Sequence, residues 1–218
     1  MTNARIPETD HGITGELNVK IYDQFQRNFR DKGILATDRI ICSGIERGYA
    51  LEIGPGPGYL GLEWLRKTSN SILTGAEISE DMIRIAESNS REYGLDDRTQ
   101  YVLCEGEQMP FEDENFDAVF TNGSLHEWSD PIKVFREIKR VLVPGGKFFV
   151  SDLRRDVPFP SKWLMYVMSQ PAEIRPGFLT SVRAAYTRDE IHELVREVGF
   201  TALITSQNPF GLQVTGSK

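Results

Sequence analysis

From about residue 50 to residue 152, short apolar runs alternate with segments whose apolar side chains recur every three or four positions. The runs at 50–53, 71–76, 100–103, 116–121 and 147–151 are too short for helices and read as buried strands. Between them, 59–68 reads as a helix. A second helix starts behind Ser79, which suits an N-cap ahead of Glu80 and Asp81, and ends near Gly94. Ile132, Phe135, Ile138 and Leu142 keep helical spacing up to Pro144-Gly145-Gly146. Strand and helix alternating this often predict a parallel sheet with right-handed crossovers.

The pattern changes at both ends. Leu17, Ile21, Phe25 and Phe29 form one helical stripe, and a short helix is expected over 38–45 before Gly48. Residues 1–15 read as flexible. These first helices either cap the strand ends or only cover a sheet face. Residues 152–186 carry Pro158, Pro160, Pro171 and Pro176 around a short apolar helix with Trp163, Leu164, Val167 and Met168, an irregular insertion of the kind that forms substrate lids. Thr187-Arg188-Asp189-Glu190 is a capping box for a helix with Ile191, Leu194, Val195 and Val198 on its apolar face, stopped by Gly199. The stretches 200–205 and 212–215 read as a terminal antiparallel strand pair. The expected fold is α/β: a Rossmann-like, seven-stranded, mostly parallel sheet flanked by helices, with a C-terminal antiparallel edge strand. One domain spans 1–218, with an N-terminal helical cap (1–45) and a lid or substrate insertion (152–186).

Composition narrows the partners. At 218 residues with 39% hydrophobic residues the chain can bury a sizeable core. A net charge of −7 with no long run of Lys or Arg argues against a nucleic-acid footprint and favours a small-molecule substrate, on a monomer or homodimer. Cys42 and Cys104 are too few for a disulfide framework or a metal cluster, so no metal is expected. The first ten residues lack the apolar stretch of a secretory signal, and no run approaches the roughly 20 apolar residues of a membrane span, so the cytoplasm is the expected compartment.

Candidate chemistry gathers behind the strands. Residues 50–61, A-L-E-I-G-P-G-P-G-Y-L-G, run from the first strand into glycines at 54, 56 and 58, where a ligand must approach bare backbone. The dinucleotide fingerprint needs a sixth-position glycine, and Tyr59 stands there instead. Glu77, 19 positions past Gly58 at the end of the second strand, is placed to accept from two ribose hydroxyls, or is only a helix-flanking charge. His126 is a general-base candidate or a packed imidazole. Trp128 is a pocket wall or core. Arg154, Arg155, Arg175 and Arg183 bind an anionic substrate or pair with surface acids. Met82 and Met109 pack against a ligand or belong to the core.

The acidic residue followed by alternating glycines, Glu52 to Gly58, resembles motif I of the class I S-adenosylmethionine-dependent methyltransferases. C-E-G-E-Q-M-P-F (104–111), F-D-A-V-F-T-N-G-S-L-H-E-W-S-D-P (116–131) and V-L-V-P-G-G-K-F-F-V-S-D (141–152) are similar to the later motifs of the small-molecule branch, which includes the ubiquinone and menaquinone methyltransferases. The resemblance covers about residues 50–152. It implies S-adenosylmethionine as cofactor, with Glu105 and Gly106 at the adenine, Asn122 at the methionine part, and Tyr22, Glu52, Gly54, Gly56, Gly58, Glu77, Ile78, Met82 and Glu107 completing the contacts. It implies methyl transfer to a small acceptor by in-line displacement, with His126 as the candidate catalytic residue and Trp128, Arg154, Arg155 and Arg183 toward the substrate. Where the family commonly has a second histidine, this chain has Glu127. The competing readings are a macromolecule methyltransferase, a nicotinamide-dependent oxidoreductase and a non-catalytic cofactor-binding protein. The first lacks support from an Asn-Pro-Pro-Tyr-type tetrapeptide, since Asn122 is followed by Gly123-Ser124.

Overall fold

The central strands carry apolar side chains on both faces, so the sheet has to be covered twice. The computed structural model describes residues 4–8 and 13–218 of the chain. Strands β1 (Gly48–Ile53), β2 (Ser71–Glu77), β3 (Thr99–Leu103), β4 (Phe116–Asn122) and β5 (Leu142–Asp152) are parallel. The hairpin of β6 (Thr201–Gln207) and β7 (Leu212–Ser217) joins through β7, antiparallel to β5, giving the order β3-β2-β1-β4-β5-β7-β6. This is the expected seven-stranded, mostly parallel sheet with its antiparallel pair at the C-terminal side.

One apolar cluster joins α2 (Thr37–Cys42) and α3 (Tyr59–Lys67) to the sheet through Ile40, Leu62, Trp64, Leu65, Phe120 and Phe149. The other joins α5 (Pro131–Val141) and α8 (Arg188–Val198) through Phe135, Ile138, Ile191, Val195 and Phe148. α4 (Glu80–Tyr93) packs along β3 beside α3. Ser79 caps α4, accepting from the Met82 amide, and the Thr187–Glu190 capping box starts α8 as its sequence predicts. Strand order reverses between β1 and β4, so a crevice opens beyond their carboxyl ends, the usual ligand position in such sheets.

Three local expectations change. The helix expected to include Leu142 ends at Val141, and β5 begins at once because Leu142 already pairs with Phe116. The short second helix stops at Cys42 rather than 45, since Gly44 turns the chain at φ 89°. The insertion at 152–186 is more regular than its prolines suggest: α6 (Phe159–Met168) is followed by a further helix, α7 (Arg175–Ala184). Pro160 and Pro176 sit in the first turns of these helices, where the missing N–H has no intrahelical partner to lose.

α1 (Glu16–Asp31) crosses the loop between β1 and α3. Tyr59 Oη donates to Asp23 Oδ1 at 2.9 Å, and Asn28 Nδ2 donates to the Gln170 carbonyl at 3.0 Å, linking α1 to the insertion. Within the stretch 1–15, expected to be flexible, residues 4–8 make contacts with the insertion. Ile6 N–H donates to the Arg183 carbonyl at 3.2 Å, and Arg5 lies over the Tyr186 ring at 4.2 Å while donating to the carbonyls of Ala184 and His126. Residues 1–3 and 9–12, also part of that expectation, lie outside the described residues. Among the described residues, no helix is long and apolar enough to cross a membrane.

Candidate active site

Gly54, Gly56 and Gly58 all adopt positive φ, at 64°, 53° and 85°, between the end of β1 and the start of α3. A side chain would also collide there. A Cβ on Gly54 would lie 2.9 Å from the Ser124 Cβ, and one on Gly58 would lie 2.9 Å from Tyr101 Oη. The loop is therefore glycine for two independent reasons, backbone hand and close approach. Tyr22 of α1 lies against it, its ring 3.3 Å from where a Gly56 Cβ would be, and its phenol accepts from Gln26 Nε2.

Two buried carboxylates flank the loop. Glu77, at the end of β2, accepts from the Gly56 amide at 2.9 Å through Oε2, and from the Ile78 and Ser79 amides at 3.0 Å each through Oε1. Burial pushes its proton affinity up while these three backbone donors pull it down. Glu52, on β1, has an Oε2 without any hydrogen-bond partner. Burial, and next the Glu77 charge, push it up to about 8. Asn122 Oδ1 accepts from Ser151 Oγ at 2.6 Å. Asn122, Tyr22, Gln26, Glu52, Gly54 and Pro55 share the lining of a small cavity of about 20 Å³, room for about one water.

The other end of the crevice is built from residues distant in sequence. A 3-10 turn, Leu125–Glu127, follows β4 and points His126 inward, 5% exposed. Asp152, at the last position of β5, holds it twice: Oδ2 accepts from the His126 amide at 2.7 Å, and both oxygens lie 2.8–2.9 Å from Nδ1. On the far side of the ring, Nε2 faces Glu8 Oε2 at 3.6 Å and Glu127 Oε1 at 3.9 Å. Burial opposes charging the imidazole, but Asp152, then Glu127 and Glu8, raise it to about 9. The ring is thus an imidazolium at neutral pH, a donor rather than a free base. Desolvation by neighbouring atoms raises Glu127, although 41% of its side chain is exposed; His126 pulls it down, and the Glu8, Asp152 and Glu77 charges add to the rise.

The remaining sequence candidates divide. Met82 is buried beneath the start of α4, and Ile78 is partly exposed beside Glu77. Met109 and Trp128 are buried in the core, Trp128 edge-on to Phe135 at 5.5 Å. Glu105 is exposed, and a Cβ on Gly106 would make only ordinary contacts. Glu107 accepts from the Asp130 amide at 2.8 Å, a tether for the start of α5. Arg154 pairs with Asp156 at 2.7 Å and donates to the Asn208 carbonyl; Arg155 pairs with Glu190; Arg175 sits 5.2 Å over Tyr166; Arg183 points outward. Arg5, Glu8 and Ser181 were missed because nothing near them in sequence carries a pattern. Asp152 closes the 141–152 motif in sequence, where nothing marks it as the partner of His126. A surface depression of about 550 Å³ between Arg30, Glu63, Arg66, Glu92 and Tyr93 lies along α3 and α4 rather than at the strand ends, and Glu63 there pairs with Arg66 and Tyr93.

A crevice at the strand reversal, floored by glycine and flanked by a strand-end acid, defines a Rossmann-like fold built to hold a nucleotide cofactor. Residues 51–150 match the family described as "Methyltransferase domain". The methyltransferase GfsG of Streptomyces halstedii is 31% identical over 103 residues, 47% of this chain and 37% of that protein. The ubiquinone/menaquinone biosynthesis C-methyltransferase UbiE of Citrobacter koseri is 26% identical over 180 residues, 75% of this chain and 71% of that protein. Among solved structures, a Methanococcus maripaludis protein provisionally described as an S-adenosyl-L-methionine-dependent methyltransferase superposes with a TM-score of 0.73 at 25% identity, covering 95% of this chain and 97% of that one. The chain spans well under half of GfsG, so matching stretches rather than whole proteins carry that likeness. Over its sheet the chain is thus similar to methyltransferases, the UbiE enzymes among them, and to a solved structure of an S-adenosyl-L-methionine-dependent methyltransferase type.

Proposed function

We propose that this protein transfers a methyl group from S-adenosylmethionine to a small-molecule acceptor bound between α1, α7 and the segment at residues 4–8, which act as cap and lid. The observation that carries this reading is the enclosure of His126. It is 5% exposed under a strap held by Arg5 and Ile6, a depth that suits a small acceptor. A cytoplasmic setting and a monomer or homodimer belong to the same proposal, and nucleic acid is not an expected partner.

The residues fit the cofactor. Three glycines leave backbone bare where any Cβ would intrude, and Glu52 Oε2 is a buried acceptor without a donor. On this reading Gly54, Gly56 and Asn122 hold the amino-acid end, and Glu77 takes the ribose hydroxyls. A carboxylate has about four acceptor directions, and the three backbone donors on Glu77 leave one free, with the Gly56 bond the natural one to exchange. Ile78 and Met82 flank the adenine, with Glu105, Gly106 and Glu107 at its outer edge. The small cavity requires Tyr22 and α1 to move aside on entry, then to close and exclude water.

S-adenosylmethionine, when bound, supplies a methyl carbon already activated by its sulfonium leaving group. The chain therefore has mainly to orient the acceptor, a contribution of about 7–11 kcal/mol when geometry is well held. His126, charged and fixed by Asp152, would donate to an anionic oxygen or sulfur of the acceptor and hold it in line. Calorimetry with S-adenosylhomocysteine tests the cofactor half: micromolar binding is expected, and a Glu77→Ala variant should lose tenfold or more. Unchanged affinity would remove Glu77 from the site. Incubation with S-adenosylmethionine and a metabolite mixture should yield products heavier by one methylene, and methylation confined to RNA or protein would overturn the small-acceptor reading.

A further inference from the structure

His126, Glu8 and Glu127 come together at the acceptor end without being hydrogen-bonded to one another. Their ligand atoms, Nε2 and one oxygen of each carboxylate, all lie within 4.8 Å of each other. Nε2 has no acceptor within hydrogen-bond distance among the described residues, although its imidazole is more than nine-tenths buried and aimed between the two acids. Asp152 engages Nδ1 on the opposite side of the ring at 2.8 Å, so a metal that displaces the Nε2 proton would meet a lone pair directed into the gap. Glu8 is itself steadied, accepting from Ser181 Oγ at 3.2 Å.

We propose that Glu8, His126 and Glu127 form a binding site for a divalent first-row metal cation, with Asp152 and Ser181 orienting two of the three ligands. A histidine that ligates a metal characteristically gives its other ring N–H to a carboxylate, as His126 does to Asp152. Bonds of about 2.0–2.2 Å would place the donor atoms roughly 3–3.5 Å apart around a tetrahedral ion. The 3.6 and 3.9 Å separations from Nε2 then need to shrink by several tenths of an ångström, and the two carboxylates, within 4.8 Å of each other, have to close together by side-chain rotation. One imidazole with two carboxylates suits zinc, cobalt or manganese rather than an all-oxygen magnesium site. Three carboxylates surround one imidazole here, and a dication supplies the charge that balances them. Three protein ligands leave a coordination position open. If the methyl-transfer reading holds, an oxygen or sulfur of the acceptor would occupy it, and the cation would replace the ring's second proton as the positive charge facing that atom.

Nothing in the sequence hinted at this site, because 118 positions separate Glu8 from His126. The test is titration of the chelator-treated, full-length protein with Co2+, followed by visible absorption. One equivalent should bind with nitrogen and oxygen ligation and no thiolate charge-transfer band, which separates this site from Cys42 and Cys104. Glu8→Gln and Glu127→Gln should each weaken Co2+ binding tenfold or more, and His126→Ala should abolish it. The Glu8 variant alters only the strap and keeps the test valid if His126→Ala fails to fold. No binding at submillimolar Co2+, a thiolate band, or affinity unchanged in both glutamine variants would overturn the proposal. So would methylammonium binding at the cluster in place of metal. S-adenosylhomocysteine calorimetry on the same samples separates the two claims: retained cofactor binding without Co2+ sinks the metal site alone, and Co2+ binding without cofactor sinks the methyl-transfer reading alone.

Discussion

The two ends of the crevice are built in opposite ways. At the glycine end, five consecutive residues set the backbone, and Glu77 is satisfied by three amides from its own strand end and the neighbouring loop. At the histidine end, the segments at residues 4–8, 125–127 and 152 and helix α7 each contribute a side chain. The same contrast separates the two buried glutamates: Glu77 receives three backbone donors, while Glu52, two positions before the loop, has an oxygen with none. Local geometry can satisfy a charge cheaply. A charge satisfied by distant segments depends on the whole fold being in place.

Breaking the histidine end should have the largest effect. Asp152→Ala removes the acceptor for the His126 amide and ring and for the Leu153 amide, and should cost about 3–5 kcal/mol in urea unfolding, as expected for removing one partner of a buried charge pair. A loss below about 1 kcal/mol would show that Asp152 is not the anchor. At the glycine end, Gly54→Ala combines a left-handed backbone with the Ser124 collision and should cost about 2–4 kcal/mol by the same measurement. Equal stability would mean that the loop relaxes freely.

A smaller effect sharpens the contrast between the glutamates. Glu52 keeps its proton up to about pH 8 in the folded protein and loses it near pH 4.3 when unfolded. Across that window the native state binds more protons, so stability falls as pH rises, by at most ~1.4 kcal/mol per unit. Above pH 8 this contribution is flat. Glu77 and Tyr101 are the titratable groups facing Glu52, and its burial is what sustains the shift. Glu52→Gln should therefore gain on the wild type between pH 5 and pH 8, by roughly 2 kcal/mol in thermal or urea unfolding once water penetration is allowed for. A pH-independent difference would mean that Glu52 is ionised in the fold. Smallest of all, Arg183→Ala should change stability by less than about 0.5 kcal/mol and leave S-adenosylhomocysteine affinity unchanged, since its side chain is exposed and, among the described residues, its carbonyl is what meets the strap.

Much of the fold was legible in the chain. Each of the seven strands lies close to where its apolar run predicts, and the Ser79 and Thr187 caps and the Gly94 and Gly199 stops mark helix ends through interactions spanning four residues or fewer. Errors arose where a residue type has two meanings. Pro160 and Pro176 read as breakers but open helices, and Leu142 fits a helical stripe but starts a strand because Phe116 is there to pair with it. The candidate site was half legible. Gly54, Gly56, Gly58 and Glu77 announce themselves by spacing, whereas Trp128 and Met109 look the same in sequence whether they line a pocket or fill the core.

What the sequence by itself determined is the parallel sheet, the bare loop behind its first strand and the acid that closes the second, because backbone hand, periodicity and capping act over a few residues. Only the tertiary structure decided that Asp152 grips His126, that Arg154 and Arg155 pair with Asp156 and Glu190, and that Glu8 swings in across 118 positions to face the imidazole. Those contacts arise from strand order and from the path of the chain over the sheet edge. Their strength depends on burial, which no short stretch of sequence contains.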